Sequence, residues 1–208
     1  MNTFFLDRLN SEPHALAFAG QSTPWPVALA DQSANPALDE ALHTHAAAAQ
    51  ALLYPVSAEL LATTGRPVDL FGFEPNPARL GAAAAASASV PGIALTQLGA
   101  LLDAAALGYN PAQAKPVAVL GHSQGVLAVH MVQAICEAGS IDAAAAKIDE
   151  ILAIATLIGV AGTRQARQLG LAARHGEATP MLSVKDITRA QVDALIERVD
   201  GARGPIAV

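Results

Sequence analysis

The sequence predicts an α/β fold, and two stretches carry that prediction. Pro116-Val-Ala-Val-Leu-Gly-His-Ser-Gln-Gly125 passes from a β-rich apolar run, through a glycine-flanked pentapeptide, into an apolar helical pattern from Val126 to Ile135. Ala15-Leu-Ala-Phe-Ala-Gly20 reads as a second, buried strand that stops at Gly20. Elsewhere the hydrophobic spacing is mainly helical, so strands lead into helices as in an α/β domain.

Taken in order, Met1 to Glu12 reads as a short helix or arm before the first strand. Gln21-Ser-Thr-Pro-Trp-Pro26 then carries two prolines, which exclude a helix or strand interior and predict a loop. From Pro36 to about Thr63, Leu38, Leu42, Ala46, Leu52 and Leu53 recur near helical spacing, with Asp39 and Glu40 in the first turn, where the helix dipole favours acids. The Pro- and Gly-rich segment from Thr64 to Pro77 reads as a surface excursion. A helix follows from about Val90 to Leu107, with Ile93, Leu95, Leu98, Leu101 and Leu102 facing inward. After the Val126 helix, Gly139-Ser-Ile-Asp142 breaks the chain and Ser140 caps a helix reaching about Leu169. The composition changes near Gly176. Residues 1–175 read as one core and residues 176–208 as the start of a small lobe: a strand near Thr179–Lys185, a helix over Thr188–Val199 capped by Thr188, a turn at Gly201 and a strand opening at Pro205.

Bulk properties narrow the functions. Of 208 residues, 52% are apolar and 14% charged, enough for a large core and sparing in polar surface, so further protein is expected to cover part of the apolar surface. A net charge of −6 with no basic block argues against nucleic acid or an anionic membrane as partner. The single cysteine, Cys136, forms no internal disulfide and reads as a buried thiol in a reducing, cytoplasmic setting. The N-terminus has no targeting pattern. The run Ile151 to Gly162, at 12 residues, is short of the ~20 that a membrane span requires, and Gly81 to Val90 carries serines and meets Pro91.

Chemistry concentrates at Gly121-His-Ser-Gln-Gly125. A G-x-S-x-G pentapeptide between strand and helix holds its serine in a strained turn, with the hydroxyl presented above the sheet. Ser123 is the candidate nucleophile. Gly121 and Gly125 flank it because a Cβ at either would collide where strand and helix pass, and His122 supports the turn. The Gln124 amide lies at a helix N-terminus, suited to developing negative charge. A serine nucleophile needs a base, and the six histidines are His14, His43, His45, His122, His130 and His175. His43 and His45 read as surface and His130 as a residue of the core or one backing the site, leaving His175 as the best internal candidate. No Cys/His cluster has metal-ligand spacing.

Three stretches together, Phe18-Ala-Gly-Gln21, Ser89-Val-Pro-Gly-Ile-Ala-Leu-Thr-Gln97 and Gly121-His-Ser-Gln-Gly125, resemble the acyl-CoA:acyl-carrier-protein transacylases. Within them the chain is most similar to the acetyltransferase region at the N-terminus of bacterial type I fatty acid synthase, nearly end to end, including Gly-Phe-Glu-Pro75 and Leu157-Ile-Gly-Val-Ala-Gly-Thr163. The resemblance implies an α/β-hydrolase-like core, a ferredoxin-like small lobe that is incomplete here, and a Ser–His dyad. It makes Ser123 the acylated residue, and the amides of Gln124 and Gln21 the two halves of the oxyanion hole. Where the family has Gly-Gln-Gly-Ser, this chain reads Gly20-Gln-Ser-Thr23. The family's catalytic histidine follows the small lobe, so the chain is expected to be an N-terminal piece of a longer polypeptide, feeble or inactive alone. Coenzyme A thioesters and carrier phosphopantetheine are the implied substrates, with no tightly bound cofactor. An acyl carrier domain, the rest of the synthase and a homo-oligomeric assembly are the implied partners. Malonyl-loading relatives place an arginine on the helix after the nucleophile helix to pair with the free carboxylate. Ile151 to Gly162 holds no basic residue, Ile154 or Ala155 occupies that face, and Arg164 lies beyond, so acetyl is the expected acyl group. Two rivals remain: an esterase or thioesterase sharing the serine turn, and a structural segment of a megasynthase.

Overall fold

The computed structural model describes residues 3–20, 24–54, 61, 69–72, 86–168 and 188–203. The chain divides into two units, Met1–Ala178 and Thr179–Val208. In the first, α1 (Thr3–Ser11) and β1 (Ala15–Phe18) precede three helices, α2 (Trp25–Ser33), α3 (Pro36–Leu53) and α4 (Ala86–Ala106). A short α5 (Pro111–Ala114), β2 (Ala118–Gly121), α6 (Gly125–Ala138) and α7 (Ala145–Gln168) follow. In the second unit the described element is α8 (Arg189–Arg203).

The architecture is α/β and mostly helical. β1 and β2 form a parallel pair in register Ala15↔Ala118 through Phe18↔Gly121, continued at each end by Val117 N–H to the His14 carbonyl (2.9 Å) and His122 N–H to the Phe18 carbonyl (3.0 Å). Helix α6 packs on both strands, and α4 packs on α2, α3, α6 and α7. Contrary to the sequence reading, β1 is not buried: Ala15 and Ala17 are exposed and Leu16 and Phe18 half-buried.

Helix α4 is the centre of the core. Ile93, Ala94, Leu95 and Leu98 are wholly buried, and the polar Ser87, Thr96 and Gln97 are buried with them. Pro91 lies inside the helix and forfeits one backbone bond, while the Ser87 N–H at the start is satisfied by Thr163 Oγ1 of α7 at 2.9 Å. The helix therefore begins before Val90, merging two apolar stretches that the sequence reading kept apart. At 21 residues it is long and apolar enough by length and composition to cross a membrane, yet 67% of its most apolar window is buried within the protein. A helix surrounded by its own protein on most sides is apolar because of its neighbours.

Other departures have local causes. The loop expected through Pro26 ends at Pro24, since α2 starts at Trp25 with Pro26 in its first turn, where the missing N–H has no helical partner to lose. Helix α3 is capped by Asn35, whose side chain accepts from Ala37 N–H (3.2 Å); Leu38, Leu42, Ala46 and Leu53 face inward, but Leu52 is exposed. In the segment read as a surface excursion, Leu70 is fully buried, its N–H donated to Gln50 Oε1 at 3.3 Å. Ser140 Oγ accepts from Ala143 N–H at 3.2 Å, ahead of α7. Before α8, Thr188 Oγ1 accepts from Gln191 N–H (3.3 Å) and Gln191 Oε1 from Thr188 N–H (2.7 Å), a reciprocal capping box. The helix then runs through Gly201, where the sequence suggested a turn. The strands expected near Thr179–Lys185 and from Pro205 lie outside the described residues.

Candidate active site

The turn between β2 and α6 is built around close backbone approaches. Gly121 and Gly125 face one another so tightly that a Cβ on Gly121 would sit 2.5 Å from the Gly125 carbonyl carbon, and a Cβ on Gly125 would run into the Phe18 carbonyl. Gly20 belongs to the same contact: its Cβ would meet the His122 carbonyl at 2.6 Å and Ser123 Cβ at 2.7 Å. The end of β1, the turn and the first residue of α6 therefore touch through glycines, as steric crowding at such a crossing requires.

Ser123 itself adopts φ +54°, left-handed and costly for a residue with a Cβ, a strain of about 1–2 kcal/mol. The turn is closed by Gly125 N–H to the His122 carbonyl at 2.9 Å. Ser123 is exposed, and its hydroxyl donates to Gln124 Oε1 at 2.7 Å. Gln124 occupies the N-cap position of α6 without a side-chain capping hydrogen bond. Gln21, the other residue to which the resemblance gives an oxyanion role, lies outside the described residues, as does His175.

The five described histidines are occupied elsewhere or exposed. His14 hydrogen-bonds Tyr109 (2.8 Å) and the Glu12 carbonyl (3.0 Å). His43 stacks on Phe71 with ring centroids 3.6 Å apart and faces Asp39. His45, expected at the surface, keeps only 14% of its side chain exposed and ties α3 to α7 through Asp149 at 2.7 Å. His130, expected in the core or behind the site, is exposed on α6. His122 is exposed beside Ser123. Among the described residues Ser123 has no histidine partner, and no cluster of His, Cys, Asp or Glu could hold a metal.

Cys136 is exposed, which corrects the expected burial; partial enclosure and the neighbouring Glu137 still push its thiol above the ordinary range. The outward side of α7 carries Ile154, Leu157 and Ile158, each about half exposed, with Ala155 buried beneath. One residue acquires a role the sequence did not assign. Gln97, buried on α4, donates from Nε2 to the Ala19 carbonyl at 2.5 Å, just before Gly20. Its signal was present as a polar amide at the end of Ile-Ala-Leu-Thr-Gln97, an otherwise apolar run.

A family model described as "Starter unit:ACP transacylase in aflatoxin biosynthesis" matches residues 74–206, more than half of the chain, spanning α4, the serine turn and α7. The chain belongs to the starter unit:ACP transacylase family. It is thus an acyltransferase region whose chemistry is the passage of a starter acyl unit from coenzyme A to the phosphopantetheine of an acyl carrier protein. No curated protein matches the chain, and no solved structure does.

Proposed function

We propose that this chain carries the nucleophile and oxyanion hole of a priming acetyltransferase for fatty acid synthesis, in a cytoplasmic multienzyme. The observation that carries the reading is Ser123 at φ +54° between β2 and α6, exposed and locked by the Gly20, Gly121 and Gly125 approaches. The transfer runs in two halves. Ser123 Oγ attacks the thioester carbonyl while a histidine takes the hydroxyl proton. The carbon–sulfur bond breaks, and coenzyme A leaves as the thiol with that proton. The carrier's phosphopantetheine thiol then attacks the acyl-serine, its proton passing to the base and on to Ser123 Oγ as the ester bond breaks. Both tetrahedral oxyanions are held by the amides of Gln124 and Gln21, each donor contributing roughly 3 kcal/mol to the barrier reduction. The base in this reading is a histidine outside the described residues.

An uncharged acyl group is favoured by the α7 surface. From Ile151 through Gly162 this helix offers alkyl side chains at Ile154, Leu157 and Ile158 and no cation, whereas a malonyl carboxylate left unpaired against them would cost several kcal/mol. The surrounding fold in this proposal is the α/β-hydrolase-like core of a transacylase with a ferredoxin-like lobe, and the parallel β1–β2 pair supports it.

Intact-mass measurement of the natural full-length protein with acetyl-CoA tests the reading. An acetyl adduct on Ser123, absent in Ser123→Ala, is expected. Loading from malonyl-CoA but not acetyl-CoA would overturn the acetyl assignment, and undiminished loading of Ser123→Ala would overturn the site. The esterase rival shares the turn but predicts several strands before the nucleophile; among the described residues a single strand precedes β2. It predicts rapid release of acetate without a thiol acceptor.

A further inference from the structure

We propose that Gln97 is a positioning residue for the oxyanion hole, holding from α4 the path of the chain between β1 and Gln21. The proposal rests on the reading of Ser123 as the acylated residue and of Gln21 as an oxyanion donor.

Gln97 is 8% exposed in the centre of the core, between Thr96 and Leu98. Its Nε2 donates to the Ala19 carbonyl at 2.5 Å, whereas its Oε1 is buried with no hydrogen-bond partner among the described residues. A buried acceptor left unsatisfied is destabilising, and an apolar side chain of similar size would avoid that loss. Stability alone does not explain the amide here. What the amide secures is one carbonyl at a critical point of the chain.

The β1–β2 ladder ends at the Phe18 carbonyl, which accepts His122 N–H at 3.0 Å. The Ala19 carbonyl is the first beyond the ladder, and Gln97 engages it. On the other side stands the start of α6, where a Cβ on Gly125 would come within 3.0 Å of the Ala19 oxygen. Gly20 in turn abuts the His122 carbonyl and Ser123. Residues 18–20 are therefore held between the serine turn and the Gln97 amide, immediately before the residue whose N–H must meet the developing oxyanion. A donor of that kind contributes only when it is placed to within about 0.5 Å. Gln97 transmits the rigidity of α4 to that placement without touching substrate.

The test compares Gln97→Met and Gln97→Leu with the parent in the natural full-length protein, measuring acetyl loading and thermal unfolding. Loading should slow about 10- to 100-fold, with KM for acetyl-CoA within about threefold and the unfolding midpoint unchanged or higher. The proposal fails if either folded variant loads within twofold of the parent. It also fails if the loss of rate follows a loss of stability, or falls equally on substrate binding. Failure of both variants to fold would overturn it too, since it holds that the amide is kept at some expense to stability. Ser123→Ala, run alongside, separates the two claims: if that variant still loads, the underlying site is wrong, and if it does not while the Gln97 variants do, only the role of Gln97 is.

Discussion

Substitution of Gly20 by alanine sets the end of β1 against the serine turn. The new Cβ would lie 2.6 Å from the His122 carbonyl oxygen and 2.7 Å from Ser123 Cβ. Neither is the free end of a side chain, and the turn is pinned by the Gly125–His122 and His122–Phe18 hydrogen bonds. Ordinary contact is restored only if loop and turn separate by about 0.5 Å or more. Backbone conformation does not oppose the change, because Gly20 is not among the described glycines with positive φ. Restricting the unfolded chain would by itself stabilise the protein by about 0.4–1 kcal/mol, against an overpacking cost of about 1–3 kcal/mol. The net expectation is a loss of about 1–2 kcal/mol. The same displacement moves the Ser123 hydroxyl relative to the loop that precedes Gln21. Since a 1 Å misplacement can cost about 100-fold, half of that predicts roughly tenfold slower acyl loading. Single-turnover loading from acetyl-CoA, followed by intact mass in the natural protein, reads this directly. A Gly20→Ala variant that loads within twofold of the parent and unfolds at a higher temperature would refute the reasoning, because the loop would then have yielded freely.

Two further outcomes are expected away from that contact. Lys115 caps α5 at φ 49° and ψ 67°, a left-handed conformation disfavoured for a residue with a Cβ, so Lys115→Gly should be neutral to stabilising by up to about 1 kcal/mol in thermal or denaturant unfolding. Cys136 has a raised thiol pKa, and only the thiolate alkylates, so its folded thiolate fraction near pH 8 is below that of an unperturbed cysteine. Iodoacetamide labelling followed by mass spectrometry should therefore be slower in the folded protein than in denaturant at the same pH, with the difference narrowing as pH rises.

The serine turn was legible because its signal is local. Gly121 and Gly125 have to be glycines where strand meets helix, and the collisions a Cβ would make at either show why. Helix α2 was not legible, because Pro24 and Pro26 look alike in a sequence although one caps the helix and the other sits in its first turn. Burial was readable where an apolar stripe was strong, as at Leu38, Leu42 and Ala46, and misread where it depends on what covers a face. His130 lies on a side of α6 that nothing described encloses, Cys136 on one that is only partly covered, and β1 has a single described partner strand. Gln97 marks the other limit. Its polarity in an apolar run was visible, but the carbonyl it holds is 78 positions away, and only the folded chain brings the two together.

The Ser123 hydroxyl and Gln124 Oε1 have a consequence for idle chemistry. An amide oxygen can hold a hydrogen but is far too weakly basic to remove it, so a serine resting on this neighbour at 2.7 Å is no sharper a reagent than any alcohol. In the transfer proposed for Ser123 such dormancy would be an advantage. Thioesters that drift past would not be squandered on water, and the imidazole proposed as base would first have to displace the glutamine.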